Sequence, residues 1–226
     1  MQFTSEQRLD DGVLEREITL GEIPGILWTP ASASAPAPLI LIGHPGGLHK
    51  MRPRLVARAR HSAEYGFAAA TIELPGSGDR PRSAAAEQAR ADRLVLPLVE
   101  KAVPEWQAAL DALLSLPEIG GPVGYSGGVI AIGIRLAVVE PRISAALLFA
   151  GSFVPRTMFE EARQVTIPLQ VLLQWDDEGN DRQLALDLFD AFGSKEKTLH
   201  ANLGGHTGVP QFEGDDGNRF FARHLK

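Results

Sequence analysis

Three residue types scattered along the chain have the chemistry of nucleophilic catalysis. The run Gly124-Tyr125-Ser126-Gly127-Gly128 places a serine between glycines two residues away on each side. That spacing suits a sharp strand-to-helix turn, where larger flanking residues would collide and where strained backbone is expected at the serine. A short apolar run precedes it and a helix rich in Ile, Val and Ala follows, so the helix N-terminus points its partial positive charge at the hydroxyl. A glycine-rich turn that only packs helix on strand would lack that setting. The second type is His206 in Leu203-Gly204-Gly205-His206-Thr207-Gly208. An imidazole on a glycine-flanked loop can reach a central serine and titrates near neutrality, as a general base must. The third is a carboxylate to orient that imidazole. Gln174-Trp175-Asp176-Asp177-Glu178 offers three, directly after an apolar run, and residue types alone leave all three open.

A hydroxyl attacking a carbonyl also needs donors for the oxyanion. Gly127, next to the serine, supplies one N–H. His44-Pro45-Gly46-Gly47 follows another apolar run; Pro45 has no N–H, so Gly46 is the expected second donor and Gly47 the alternative. His44 and His49 have no carboxylate or third histidine at helical spacing, so no metal site is read there. Leu74-Pro75-Gly76-Ser77-Gly78-Asp79-Arg80 reads as a structural turn, although Arg80 or Arg82 could face a substrate anion. Ser77 lacks the glycine frame and is not taken as a nucleophile.

The elements that would position these groups alternate. Residues 14–29 read as two strands around a turn at Gly21, with the first strand beginning twelve to sixteen residues into the chain. Strands are expected at 39–43, 67–74, 122–125, 143–150, 168–174 and 197–201. Helices are expected at 54–65, at 84–116 in two or three pieces with the last entered at Pro104, and at 127–139, 155–163, 182–192 and 219–225. Wholly apolar runs such as Leu39–Gly43 suit strands covered on both faces, and the alternation implies a doubly wound, mostly parallel α/β sheet. The Ala/Pro stretch 30–38 reads as a surface loop, and 226 residues suit one domain over 1–226.

Composition narrows the partners. Net charge is −6 without a basic stripe, which speaks against nucleic acid and anionic membranes. With no cysteine, a disulfide framework, a thiolate zinc site and a cysteine nucleophile are excluded together. The N-terminus does not read as a signal peptide and no run approaches ~18 apolar residues, so a cytoplasmic location is expected.

These motifs, HPGG at 44–47, PGSGDR at 75–80, GYSGG at 124–128, WDDE at 175–178 and GGH at 204–206, occur in an order that resembles the α/β-hydrolase superfamily, and within it the small dienelactone-hydrolase-like esterases. The resemblance spans about residue 14 to the end. It implies a sheet of about eight strands and Asp177 as the acid, because the family's acid sits a few residues past the strand; the short room between 151 and 167 speaks against a large lid. Asp176 and then Glu178 rank behind it. Dienelactone hydrolase proper is associated with a cysteine nucleophile; Ser126 moves the expectation to carboxylic ester hydrolysis. His-Pro at 44–45 replaces the usual His-Gly, which can shift the donor by one residue. The implied activity is hydrolysis of a small-molecule ester through an acyl-enzyme, with no metal or organic cofactor. The alternatives are acyl transfer, lactone or thioester hydrolysis, and a non-catalytic ligand-binding role.

Overall fold

Strands dominate the centre because the apolar runs leave no polar face to expose. The computed structural model describes residues 1–30, 36–80, 95–150 and 154–226. Nine strands form one sheet: β1 (Gln2–Arg8), β2 (Leu14–Leu20), β3 (Ile23–Thr29), β4 (Ala37–Gly43), β5 (Ala68–Ile72), β6 (Ile119–Gly127), β7 (Ile143–Phe149), β8 (Leu169–Gln174) and β9 (Lys197–Asn202). Their order is β1-β2-β3-β5-β4-β6-β7-β8-β9. The first three strands join antiparallel, and everything from β5 to β9 is parallel. From β4 the chain goes to β5 on one side and later returns to β6 on the other. The crevice at the carboxyl ends of β4 and β6 is therefore the topological switch point, where ligands of such sheets bind.

Helices cover both faces. α1 (Leu48–Glu64) and α6 (Phe212–Leu225) lie on one, where Leu55, Ala59, Phe220 and Phe221 pack against Ile40 and Ile42. α2 (Leu96–Leu114) and α3 (Ile130–Val139) lie on the other with α4 (Phe159–Ala162) and α5 (Arg182–Ala191), burying Trp106, Leu110, Ile130 and Ile134 against Leu39 and Leu41. Among the described residues no helix is long and apolar enough to cross a membrane.

Several boundaries differ from the sequence reading. The expected eight strands are nine, because β1 precedes the pair that begins at Leu14; every residue of it is exposed, so it has no apolar signature. Pro104 lies inside α2 instead of opening a helix. The lost N–H costs about 3 kcal/mol, which burial of Val99, Trp106, Leu110 and Leu113 along the same helix offsets. The expected helical stretch 84–94, Arg82, residues 31–35 of the Ala/Pro loop and residues 151–153 lie outside the described residues.

One carboxylate ties the antiparallel strands to α1. Glu15 is buried and accepts from Trp28 Nε1 at 2.7 Å, from Arg52 at 2.6 Å and from Gln7 at 2.5 Å, joining β1, β2, β3 and α1. Glu15→Ala leaves the buried indole N–H without an acceptor and should cost ~2–4 kcal/mol. For a chain of this size that is a fall in Tm of roughly 5–15 °C. A thermal midpoint within about 2 °C of wild type would refute this account.

Candidate active site

Ser126 ends up at the switch point because β6 carries it there. It lies in β6 with Ile42 of β4 on one side and Leu147 of β7 on the other. The expected turn follows directly, but its left-handed backbone falls on two glycines, Gly127 (φ +74°) and Gly128 (φ +76°). A side chain at 128 would also meet the backbone of Gly43 at 2.7 Å, so β4 and the turn touch main chain to main chain. Gly124 has a different reason to be small: a Cβ there would meet Phe221 of α6 at 2.6 Å. Both flanking glycines of the motif are thus explained by contact, one with a strand and one with a helix.

Asp177 and His206 come together across 29 residues. The loop after β8 and the loop after β9 are bonded side by side: Trp175 N–H donates to Asn202 O at 2.7 Å, and Asp176 N–H to Gly204 O at 3.2 Å. Gln174, buried at the end of β8, donates to Gly205 O at 3.3 Å. Against this frame His206 Nδ1 bonds Asp177 Oδ2 at 2.7 Å, while Asp177 Oδ1 accepts from Gly179 N–H at 3.0 Å. The Asp177 side chain is 2% exposed and that of His206 51%, so the imidazole hangs between an enclosed carboxylate and the open rim. With Nδ1 engaged, Nε2 is the nitrogen left to handle a proton. The Phe149 ring stands edge-on to the imidazole at 5.3 Å. Phe149 lies two residues, ~6.6 Å of strand, beyond Leu147, the neighbour of Ser126. The imidazole therefore sits at the same end of the sheet as the serine.

The other two acids do different things. Asp176 is exposed and accepts from Gly204 N–H at 3.1 Å, fastening the two loops, and Glu178 is exposed. His206 does not hydrogen-bond Ser126. The serine hydroxyl instead accepts from Arg58 of α1 at 2.8 Å.

The loop after β4 carries Gly46 and Gly47, the expected second donor and its alternative. Among the described residues no hydrogen bond uses the N–H of Gly46 or Gly47. The next N–H, of Leu48, is taken by the buried Glu73 carboxylate at 2.9 and 3.1 Å, which caps α1 from the end of β5. His44 anchors the loop through Nε2, which donates to Ile72 O at 2.9 Å. Burial holds its pKa below the ordinary imidazole value, so it is neutral and structural. Arg80 is engaged by both oxygens of Glu105, at 2.8 and 2.6 Å, which makes it part of the scaffold. One group among the described residues could offer a metal three ligand atoms, His200, Glu213 and Asp216. It closes without an ion, since Glu213 is held by His200 and Asn202 and Asp216 by Arg219.

The sequence reading missed Arg58, Gln174 and Phe149. Arg58 sits in a helix dense with arginines, where it reads as a solvent-facing residue. Phe149 and Gln174 are the last residues of their strands, and that position is the one signal that could have singled them out.

No family model matches the chain, and no curated protein matches it. Solved structures do. A cold-adapted esterase from an Arctic intertidal metagenomic library, in its PEG-bound complex, is 30% identical over 100% of both chains, with a TM-score of 0.84. The dienelactone hydrolase of Anabaena variabilis has the same fold at 17% identity, covering 98% of this chain and 99% of its own, with a TM-score of 0.68. The Pyrococcus furiosus esterase Pf2001 does so at 11% identity, covering 100% and 93%, with a TM-score of 0.71. With the sheet order, the full-length match and the 30% identity taken together, the chain belongs to the family of that cold-adapted esterase, on an α/β-hydrolase fold that it shares with dienelactone hydrolase.

Proposed function

We propose that the protein hydrolyses a carboxylic ester of a small molecule through an acyl-enzyme, with Ser126 as nucleophile, His206 as general base and Asp177 as the acid that orients it. His206 Nε2 takes the proton of Ser126 as Oγ bonds the ester carbonyl carbon. The N–H groups of Gly127 and of Gly46, with Gly47 as the alternative, receive the oxyanion. His206 then gives its proton to the leaving alcohol, and a water deprotonated by the same imidazole releases the acid. The chemistry asks for no metal or organic cofactor.

The observation that carries this reading is the 2.7 Å bond from His206 Nδ1 to the enclosed Asp177 carboxylate. A bond there holds one imidazole tautomer, leaves Nε2 as the base and favours the imidazolium that forms during the reaction. The loops that carry the acid and the base also expose Trp175, Leu203 and Val209, and Phe212 follows at the start of α6; this apolar rim suits an uncharged acyl or alcohol group.

The test is covalent labelling with a fluorophosphonate probe beside hydrolysis of short p-nitrophenyl esters. Stoichiometric labelling at Ser126 together with ester turnover is expected. A folded protein that neither labels nor hydrolyses any ester or lactone of a panel would be a ligand-binding relative and would end this reading. We further propose that residues 1–226 act as one domain in the cytoplasm, without a nucleic-acid or membrane partner.

A further inference from the structure

Arg58 is a largely enclosed cation that bonds no anion among the described residues. Among the described residues its guanidinium bonds three oxygens, Ser126 Oγ at 2.8 Å, Ser126 O at 3.0 Å and Gly43 O at 3.3 Å, and none belongs to a carboxylate. Taking a guanidinium out of water costs free energy that a charged partner normally offsets. Neutral donors would serve two backbone carbonyls equally well. A positive charge at this spot repays its desolvation only when negative charge arrives, and the atom it touches is the one on which that charge would develop.

We propose that Arg58 is a further catalytic residue, whose guanidinium stabilises negative charge on Ser126 Oγ when the serine loses its proton and again when it leaves the acyl group. The inference rests on the serine mechanism above. In acylation the hydroxyl proton passes to His206 Nε2, the Oγ–C bond forms and the carbonyl pair moves to oxygen. In deacylation a water oxygen bonds the acyl carbon, the C–Oγ bond breaks, and Oγ takes that pair and then the proton held by His206. Arg58 donates hydrogen bonds throughout and transfers no proton. A serine hydroxyl has one donor and two acceptor sites, so it can accept from Arg58 while donating to His206.

The enclosure that isolates Arg58 also lowers its pKa to about 10. Its neighbours do not titrate there: burial pushes the Tyr125 phenol on β6 up and the His44 imidazole after β4 down. Arg58 is charged below about pH 10, so its contribution is present at neutral pH and fades as pH rises through that value.

The experiment compares Arg58→Met and Arg58→Lys with wild type on neutral and carboxylate-bearing esters. Arg58→Met should lower kcat on both on the order of 10²-fold or more, and Arg58→Lys should keep most of the activity. The wild type should lose kcat near pH 10 while its circular dichroism is unchanged. Neutral-ester activity of a folded Arg58→Met within threefold of wild type would overturn the proposal. So would a loss confined to carboxylate-bearing esters, which would make Arg58 a substrate-binding cation. If Arg58→Met does not fold, Arg58→Gln, which keeps a donor for the carbonyls but carries no charge, takes its place, and neutral-ester activity within threefold of wild type overturns the proposal. An unaltered Ser126→Ala protein would sink the serine mechanism itself, whereas an inert Ser126→Ala beside a fully active Arg58→Met sinks only the role of Arg58.

Discussion

Ser126→Ala should lower kcat/KM for a short p-nitrophenyl ester by on the order of 10³-fold or more and abolish fluorophosphonate labelling. The substitution removes one oxygen from a buried position between Ile42 and Leu147; Arg58 loses that acceptor but keeps Ser126 O and Gly43 O, so the sheet has no reason to rearrange. What is lost is the proposed attacking atom. Any activity left would come from substrate binding and from the backbone N–H groups of Gly127 and Gly46 or Gly47, which still favour the oxyanion for attack by water. Measuring turnover and labelling on the same preparation, with a thermal midpoint to show that the protein is folded, separates lost chemistry from lost structure. Turnover and labelling equal to wild type would remove Ser126 from the reaction.

Asp177→Asn should lower kcat on the order of 10²–10⁴-fold with little change in Tm. The amide is nearly the same size, and its oxygen can still accept from Gly179 N–H. Toward His206 it can present an NH₂ instead of a carboxylate, which favours the tautomer with its proton on Nε2, and that nitrogen can no longer take a proton from Ser126. It also withdraws the negative charge that steadies the imidazolium. Asp176→Asn is the control one residue away. That side chain is exposed and its bond goes to Gly204 N–H, so turnover should stay within about threefold of wild type. If the Asp176 variant is the damaged one and the Asp177 variant is active, the roles of the two acids exchange.

Most of the parallel sheet was legible because its strands are short, predominantly apolar runs. Leu39–Gly43, Ile143–Phe149 and Leu169–Gln174 can only be covered on both faces, and the helices between them force parallel order. The expected acid and base lie on adjacent loops for the same reason: they follow neighbouring strands. What escaped depended on partners distant in sequence. α1 begins at Leu48, before Pro53, because its first N–H is capped by Glu73 from another strand, and no local residue announces that cap. α6 begins at Phe212, about two turns before the expected start. Gly214 and Gly217 look like helix breakers, yet Gly217 is small because Leu147 lies where its Cβ would be, at 2.6 Å. The exposed β1 is specified by its pairing with β2 and not by an apolar face. Arg58 differs from its helical neighbours only in what lies across from it after folding.

The proposed nucleophile and its proposed base hang on parts of the molecule with unequal holdings. β6 is flanked by strands on both sides, whereas β9 is the last strand, bonded only to β8 and mostly half-exposed. Borders of this kind fray before interiors do. Warming would therefore disconnect the imidazole while the serine still stood on intact sheet, and turnover would report the condition of the molecule's margin, not of its centre.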